Sequence, residues 1–290
     1  MYRNASELLE VTKKLDCNIW EVVLKNEIKT SDRAADAIRS QMLETFRVMQ
    51  NSASFAQEND IKSISGLIGG DAKKVNEYRK ANKTICGDSI NIAISRALSS
   101  SEVNASMGRI VAAPTAGSCG ILPAAIITAG EKIAASDDQL VNALLTASGI
   151  GQIIAKNATL SGAEGGCQAE CGSASAMAAA ALVEMYGGAP DAALHAAAIA
   201  ISNILGLVCD PVAGLVEVPC ANRNAMGVVN AMLCADMALA GVTSIIPFDE
   251  MIEAMYKVGR LMPVAFKETA LGGVATTPTA LRLKSEIFNK

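Results

Sequence analysis

Between Gly172 and Gly206 this chain carries only two charged side chains, Glu184 and Asp191, in a run dominated by alanine. So charge-poor a run has to be buried nearly all round, and the rest of the chain is organised around it. Alanine at this density favours helix and lets helices approach closely. Two cysteine-bearing motifs bracket the run. S-G-A-E-G-G-C-Q-A-E-C-G begins at Ser161, and L-V-C-D-P-V-A-G-L-V-E-V-P-C-A-N-R-N begins at Leu207. Cys167, Cys209 and Cys220 lie in Gly- or Pro-bearing stretches, which predicts turns with exposed sulfurs and not helix faces. Their separations, 42 and 11 residues, are not the C-x-x-C pairs of zinc fingers or common ferredoxins. A site assembled by tertiary structure from two loops is expected.

Hydrophobic residues make up 51% of the 290 residues and charged ones 19%, enough for a sizeable core. The formal net charge of −4 argues against a nucleic-acid partner. The opening M-Y-R-N-A-S-E-L-L-E lacks the apolar centre of a signal peptide. The uncharged stretches Ile110–Gly130 and Ala192–Cys209 contain small and polar residues throughout, so they read as buried core and not as membrane spans. Eight cysteines without a secretory signal point to a reducing cytoplasm, hence to thiolates or metal ligands before disulfides.

The pattern along the chain predicts a mostly α fold. Asn4 with Glu7 opens a helix to about Leu15. Thr30 or Ser31 is the expected cap of a longer helix with the stripe Ile38, Met42, Met49. Helices follow from Asp71, from Asp88, after the loop Ala113–Gly120, and from the Ser136/Gln139 capping box to about Lys156. Further helices are expected at Gly172–Tyr186, from Pro190 to Gly206, Arg223–Ala240, Asp249–Met262 and from Thr277-Pro278. Short strands near Leu215–Val218 are an added possibility.

From the residues alone, Cys167, Cys209 and Cys220 suit a metal or a [4Fe–4S] cluster with one open iron, and Cys171 offers a fourth ligand for a closed site. Cys17, Cys86 and Cys234, in or beside helices, suit plain packing. Thr115, Gly117 and Ser118, in A-P-T-A-G-S-C-G, offer hydroxyls and backbone N–H groups to a substrate carboxylate. Arg223 is a candidate for substrate or for offsetting cluster charge; a structural ion pair is nearly as good a reading. Glu164, Glu170, Asp210 and Glu217 read as supporting or solvated groups. The candidates for a base within the chain are His195, the only histidine, and Lys156 and Lys267. A lone histidine in an Ala-rich helix is more often packing, and a lysine more often solvated.

G-G-C-Q-A-E, L-V-C-D-P-V-A-G-L-V-E-V-P-C-x-x-R-N-A-M and A-P-T-A-G-S-C-G together resemble the iron–sulfur-dependent L-serine dehydratases (L-serine ammonia-lyases) over nearly the whole chain, at the size of their α subunit. The resemblance implies a single helical catalytic domain over residues 1–290 with irregular cluster-binding loops. It implies a [4Fe–4S] cluster on Cys167, Cys209 and Cys220 whose fourth iron is open to L-serine, without pyridoxal phosphate. Cys171 falls outside the family motif and is expected not to ligate. The histidine bases of the family belong to an α+β portion absent here. A smaller β subunit is therefore the expected partner, in a hetero-oligomer serving serine catabolism and gluconeogenesis. The competing readings are an L-cysteine desulfidase of the same chemistry and a zinc-stabilised helical interaction module.

Overall fold

The computed structural model describes residues 2–289; Met1 and Lys290 of the expected domain lie outside the described residues. The chain folds into helices α1 (Ala5–Leu15), α2 (Ile19–Ser31), α3 (Ala35–Glu58), α4 (Asp71–Ala81), α5 (Gly87–Ala105), α6 (Ile121–Lys132) and α7 (Asp137–Asn157). After these come α8 (Gly162–Gly165), α9 (Ser173–Met185), α10 (Pro190–Ile204), α11 (Cys220–Leu239), α12 (Phe248–Leu261) and α13 (Pro278–Phe288). Among the described residues there is no β-ladder. The one strand-like pairing is a single parallel bridge between Cys209 and Lys267. No described helix is long and apolar enough to cross a membrane.

Helix α9 is the centre. Every residue from Ser173 to Val183 is buried, as the alanine run requires. Helices α6, α7, α10 and α11 surround it. Because its side chains are mostly single methyl groups, these neighbours pack at close range and fill the core with Ile126, Ile150, Ile154 and Ile201. An outer layer, α3–α5, uses small polar residues in the same way. Ser99 donates to Ser52 O (2.7 Å) and accepts from Ala56 N (2.9 Å), and Ser95 donates to Ala72 O (2.7 Å). Each buried hydroxyl is thus satisfied by a neighbouring backbone.

Most helix signals act where the sequence places them. Asn4 accepts from Glu7 N (2.8 Å), Ser136 and Gln139 close a reciprocal capping box, and Thr277 caps α13. Two expectations are corrected. Thr30 and Ser31 do not start a helix. They end α2, with their hydroxyls donating back to Asn26 O (3.0 Å) and Glu27 O (2.8 Å), and α3 starts after Ala34. The Leu215–Val218 stretch is not a strand. Pro211 and Pro219 flank it, Ala213 and Gly214 both have positive φ, and the segment folds back so that Val212 N donates to Val218 O (2.8 Å).

Candidate functional site

The two cysteine motifs meet at one end of α9. The first passes from α8 through Gly166 into Cys167 and a π-helical turn, Gln168–Gly172, that leads into α9. Gly166 has φ 77°, and a Cβ there would stand 2.6 Å from Met262 Sδ, so both conformation and space require glycine. Gln168 anchors the turn. Its amide donates to Gly165 O and Met255 O (both 2.9 Å) and accepts from Gly206 N (2.8 Å). The second motif is held from further along the chain. Cys209 N donates to Phe266 O (2.8 Å), and Glu268 N donates to Cys209 O (2.9 Å). Cys220 is the first residue of α11. Asn224, one turn on, donates to Cys220 O (2.9 Å) and Gly117 O (2.7 Å) and accepts from Gly120 N (2.8 Å). It thereby clamps the Thr115–Ser118 loop onto the same helix. The sequence reading passed over this role.

Cys167 Sγ, Cys209 Sγ and a carboxylate oxygen of Glu170 lie within 4.8 Å of one another. Cys220 stands outside that group but close enough to feel the charges of Cys167 and Glu170. The expected exposure of the sulfurs is not found. Cys167 and Cys209 are each 2% exposed and Cys220 8%, because the 263–276 segment, the Thr115 loop and α12 close over the two motifs. Cys220 is also helical, not in a turn, because the turn ends at Pro219. Arg223 Nη1 lies 3.2 Å from Cys167 Sγ and donates to Val208 O (2.8 Å), while Nη2 donates to Asp210 Oδ1 (2.7 Å). The other Asp210 oxygen accepts from Val274 N (2.7 Å).

These contacts set the protonation pattern. Hydrogen bonds from Cys171 and Cys209, then the Arg223 charge, hold the Cys167 thiol far below its ordinary value despite burial. Cys171 and Cys209 are pushed up, chiefly because each gives its S–H to Cys167. Burial pushes Cys220 up to about 12. Burial also raises Glu170 to about 7, helped by the Cys167 charge and opposed by a hydrogen bond from Thr115. The result is one thiolate among neutral thiols, with a guanidinium against it. A sulfur-rich, charge-compensated site of this kind can hold a metal.

The other predicted residues divide. Thr115 and Ser118 hydroxyls pair at 3.1 Å, and Gly117 backs onto Glu170. The loop therefore faces the thiols. Arg223 is at the site, with three of its five N–H donors directed to Asp210, Val208 O and Cys167. His195 is engaged elsewhere: its Nδ1 accepts from Ser244 N (3.2 Å). Lys156 holds its ammonium 5.4 Å above the Tyr2 ring. Lys267 joins the site only through its backbone bridge to Cys209. Glu217 accepts from Ser65 (2.7 Å) and Glu164 from Thr159 (2.6 Å), which makes them supporting groups. Glu170 stands nearest the thiols of these carboxylates, partly buried against Cys167 and Cys209. The signal available for it was its spacing, three residues after Cys167 and so on the same face of a helical turn.

The chain matches the family described as serine dehydratase alpha chain over residues 14–275. It is 50% identical to the L-serine dehydratase alpha chain of Peptoniphilus asaccharolyticus, covering 100% of this chain and 99% of that protein. It is 49% identical to a probable L-serine dehydratase alpha chain of Bacillus subtilis, covering 99% and 96%. An L-serine dehydratase of Streptomyces coelicolor is 38% identical over 94% of this chain but only 60% of its own length. On matches that run nearly end to end, this chain belongs to the serine dehydratase alpha chain family.

Proposed function

We propose that this chain is the catalytic α chain of an L-serine dehydratase, converting L-serine to pyruvate and ammonia. The observation that carries the reading is the group of buried Cys167 and Cys209 with partly buried Glu170 inside 4.8 Å, with Arg223 3.2 Å from Cys167. Thiolate donors, low exposure and an N–H donor on sulfur fit an iron–sulfur group. Cys167, Cys209 and Cys220 would hold a [4Fe–4S] cluster, with Cys171 left as an S–H donor to Cys167. When bound, an iron without a protein ligand supplies a Lewis acid for the substrate's carboxylate and departing hydroxide.

The chain's own residues do the rest. Arg223 fixes Cys167 and offsets thiolate charge. The Thr115–Ser118 loop offers Thr115 and Ser118 hydroxyls and backbone donors to the substrate carboxylate, and the closed walls exclude water. The Cα proton needs a base near neutral pKa. His195 and Lys156 are engaged away from the thiols, and Glu170 is the one near-neutral group beside them; with no histidine of this chain at the site, we assign the base to a smaller partner subunit in a cytoplasmic hetero-oligomer. Loss of the proton and hydroxide leaves aminoacrylate, which tautomerises and hydrolyses to pyruvate and ammonia.

The test is anaerobic purification, iron and sulfide analysis, then a pyruvate assay on L-serine. About four irons and four sulfides per chain with pyruvate formation support the reading. Zinc alone would instead favour the interaction module, held through Cys167, Glu170 and Cys209. Sulfide release from L-cysteine without pyruvate from L-serine would favour the desulfidase.

A further inference from the structure

L-serine brings three polar groups to a site of this kind, and the proposed function gives a receptor to only two of them, the carboxylate and the hydroxyl. We infer that the Glu170 carboxylate receives the substrate's α-ammonium group, an inference that rests on the dehydratase reading.

The argument begins with position. Glu170 stands between the thiols and the Thr115 loop, with Oε2 4.0 Å from Cys167 Sγ. Two glycines lie directly against its carboxylate. A Cβ on Gly117 would come within 3.2 Å of Oε1, and one on Gly162 within 2.6 Å of Oε2 and 3.2 Å of Cys209 Sγ. Any other residue at either position would put a side chain on the carboxylate oxygens. Glycine at both lets the carboxylate sit this close to the Thr115 loop on one side and to Cys209 on the other, with no side chain laid over its oxygens from either position.

Hydrogen-bond accounting singles out the same residue. A carboxylate accepts about four hydrogen bonds. Asp210 is occupied at both oxygens, by Arg223 and by Val274 N. Glu217 is held by Ser65, and Glu164 faces solvent with Thr159. Glu268 stands beyond Cys209, largely in solvent. Glu170 receives only the Thr115 hydroxyl and the weak contact from Cys167. The Arg223 guanidinium makes no hydrogen bond to it. A partly buried carboxylate beside the Cys167 thiolate is stabilised by a cationic partner, and an ammonium with three N–H donors on a small amino acid supplies one. The same pairing gives selectivity. A hydroxy acid without the ammonium would leave Glu170 without that partner, the kind of polar mismatch that discriminates between substrates.

The experiment uses the cluster-loaded complex in three forms: native, Glu170→Gln and Glu170→Asp. Iron and sulfide content and thermal unfolding are read first. Calorimetry then compares L-alanine, which keeps the ammonium but lacks the leaving hydroxyl, with propanoate, which lacks both. Steady-state assays give KM and kcat for L-serine. The expected results are unchanged cluster content in all three forms and a native preference for L-alanine over propanoate. In Glu170→Gln that preference should fall by about tenfold to a hundredfold, the value of a charge-assisted hydrogen bond, with propanoate binding unchanged and KM rising more than kcat falls. Glu170→Asp should recover part of the preference. Loss of cluster from Glu170→Gln would make Glu170 an iron ligand and overturn the inference. So would an intact preference in that variant, or a native protein that does not distinguish the two ligands. If the native complex forms no pyruvate from L-serine, the dehydratase reading fails, and the inference fails with it. Pyruvate formation with an unaltered KM in Glu170→Gln defeats the inference alone.

Discussion

Arg223 satisfies three acceptors at once: the Cys167 thiolate, Val208 O and the Asp210 carboxylate. Removing it strands Asp210, which is 2% exposed. Arg223→Met should therefore cost the cluster-free chain about 3–5 kcal/mol in urea unfolding, as for other buried pairs broken on one side. Arg223→Lys should recover only part of that, because one ammonium cannot span both Asp210 and Cys167. Among the sulfurs, Cys167→Ser, Cys209→Ser and Cys220→Ser should each abolish the broad thiolate-to-iron absorbance after anaerobic reconstitution. Cys171→Ser should keep it, since serine can still donate a hydrogen bond to Cys167. A Cys171 variant that loses the absorbance while one of the other three retains it would reverse the assignment. The three cysteines were legible as a group from their motifs. Their burial was not, because the partners of Cys209 (Phe266, Glu268) come from far along the chain. That Glu170 stands against the thiols was not legible for the same reason. Nothing local says that Gly117 and Gly162 will close on it.

At the level of elements, the helices were legible wherever a cap and a periodic apolar face coincide, as at Ser136 and Gln139. They were not legible where a hydroxyl admits two readings, as Thr30 and Ser31 do, and α2 was missed. The π-helical turn was invisible too, because its stabilising partners Met255 O and Gly206 N are tertiary. Gln168→Ala would leave those groups and Gly165 O without their partner and should cost roughly 2–4 kcal/mol in urea unfolding. Iron retention should fall with it, since Cys167 precedes the turn. A second tie links α9 to α2, where Glu184 accepts from Ile19 N (2.5 Å), Trp20 N (3.4 Å) and the Thr146 hydroxyl. Burial raises the Glu184 carboxyl above its ordinary 4.5. The native fold thus favours the protonated form more than the unfolded chain does. That extra stability is complete below pH 4.5 and is lost as pH rises through the raised value. Glu184→Gln should be less stable than native at pH 5, and the gap should narrow towards pH 8. A gap that widens would contradict burial as the cause.

At the level of the whole molecule, the all-helical architecture was legible because alanine density and low charge leave few alternatives for the central run. The position of His195, turned to Ser244 and away from the thiols, leads to the assembly-level prediction. The purified chain should bind a cluster yet turn over L-serine poorly, and adding the smaller partner subunit should restore pyruvate formation. His195→Ala should leave the restored rate within about tenfold, short of the loss expected for a general base. Full activity of the lone chain that disappears with His195→Ala would place the base on α10. The clamp on Cys209 has a consequence for the order of events in the cell. Its backbone partners, and the Val274 N–H that fixes Asp210, are synthesised after α11 and α12. While the ribosome is still translating α11, the Cys209 backbone lacks these partners, and the loop is held through its neighbours Leu207, Val208 and Asp210, by Gln168 N and Arg223. If the thiols take up the proposed cluster, insertion should be delayed until that later segment has emerged and docked. A nascent chain stalled before residue 263 should present all of its cysteine ligands and still fail to accept iron and sulfide.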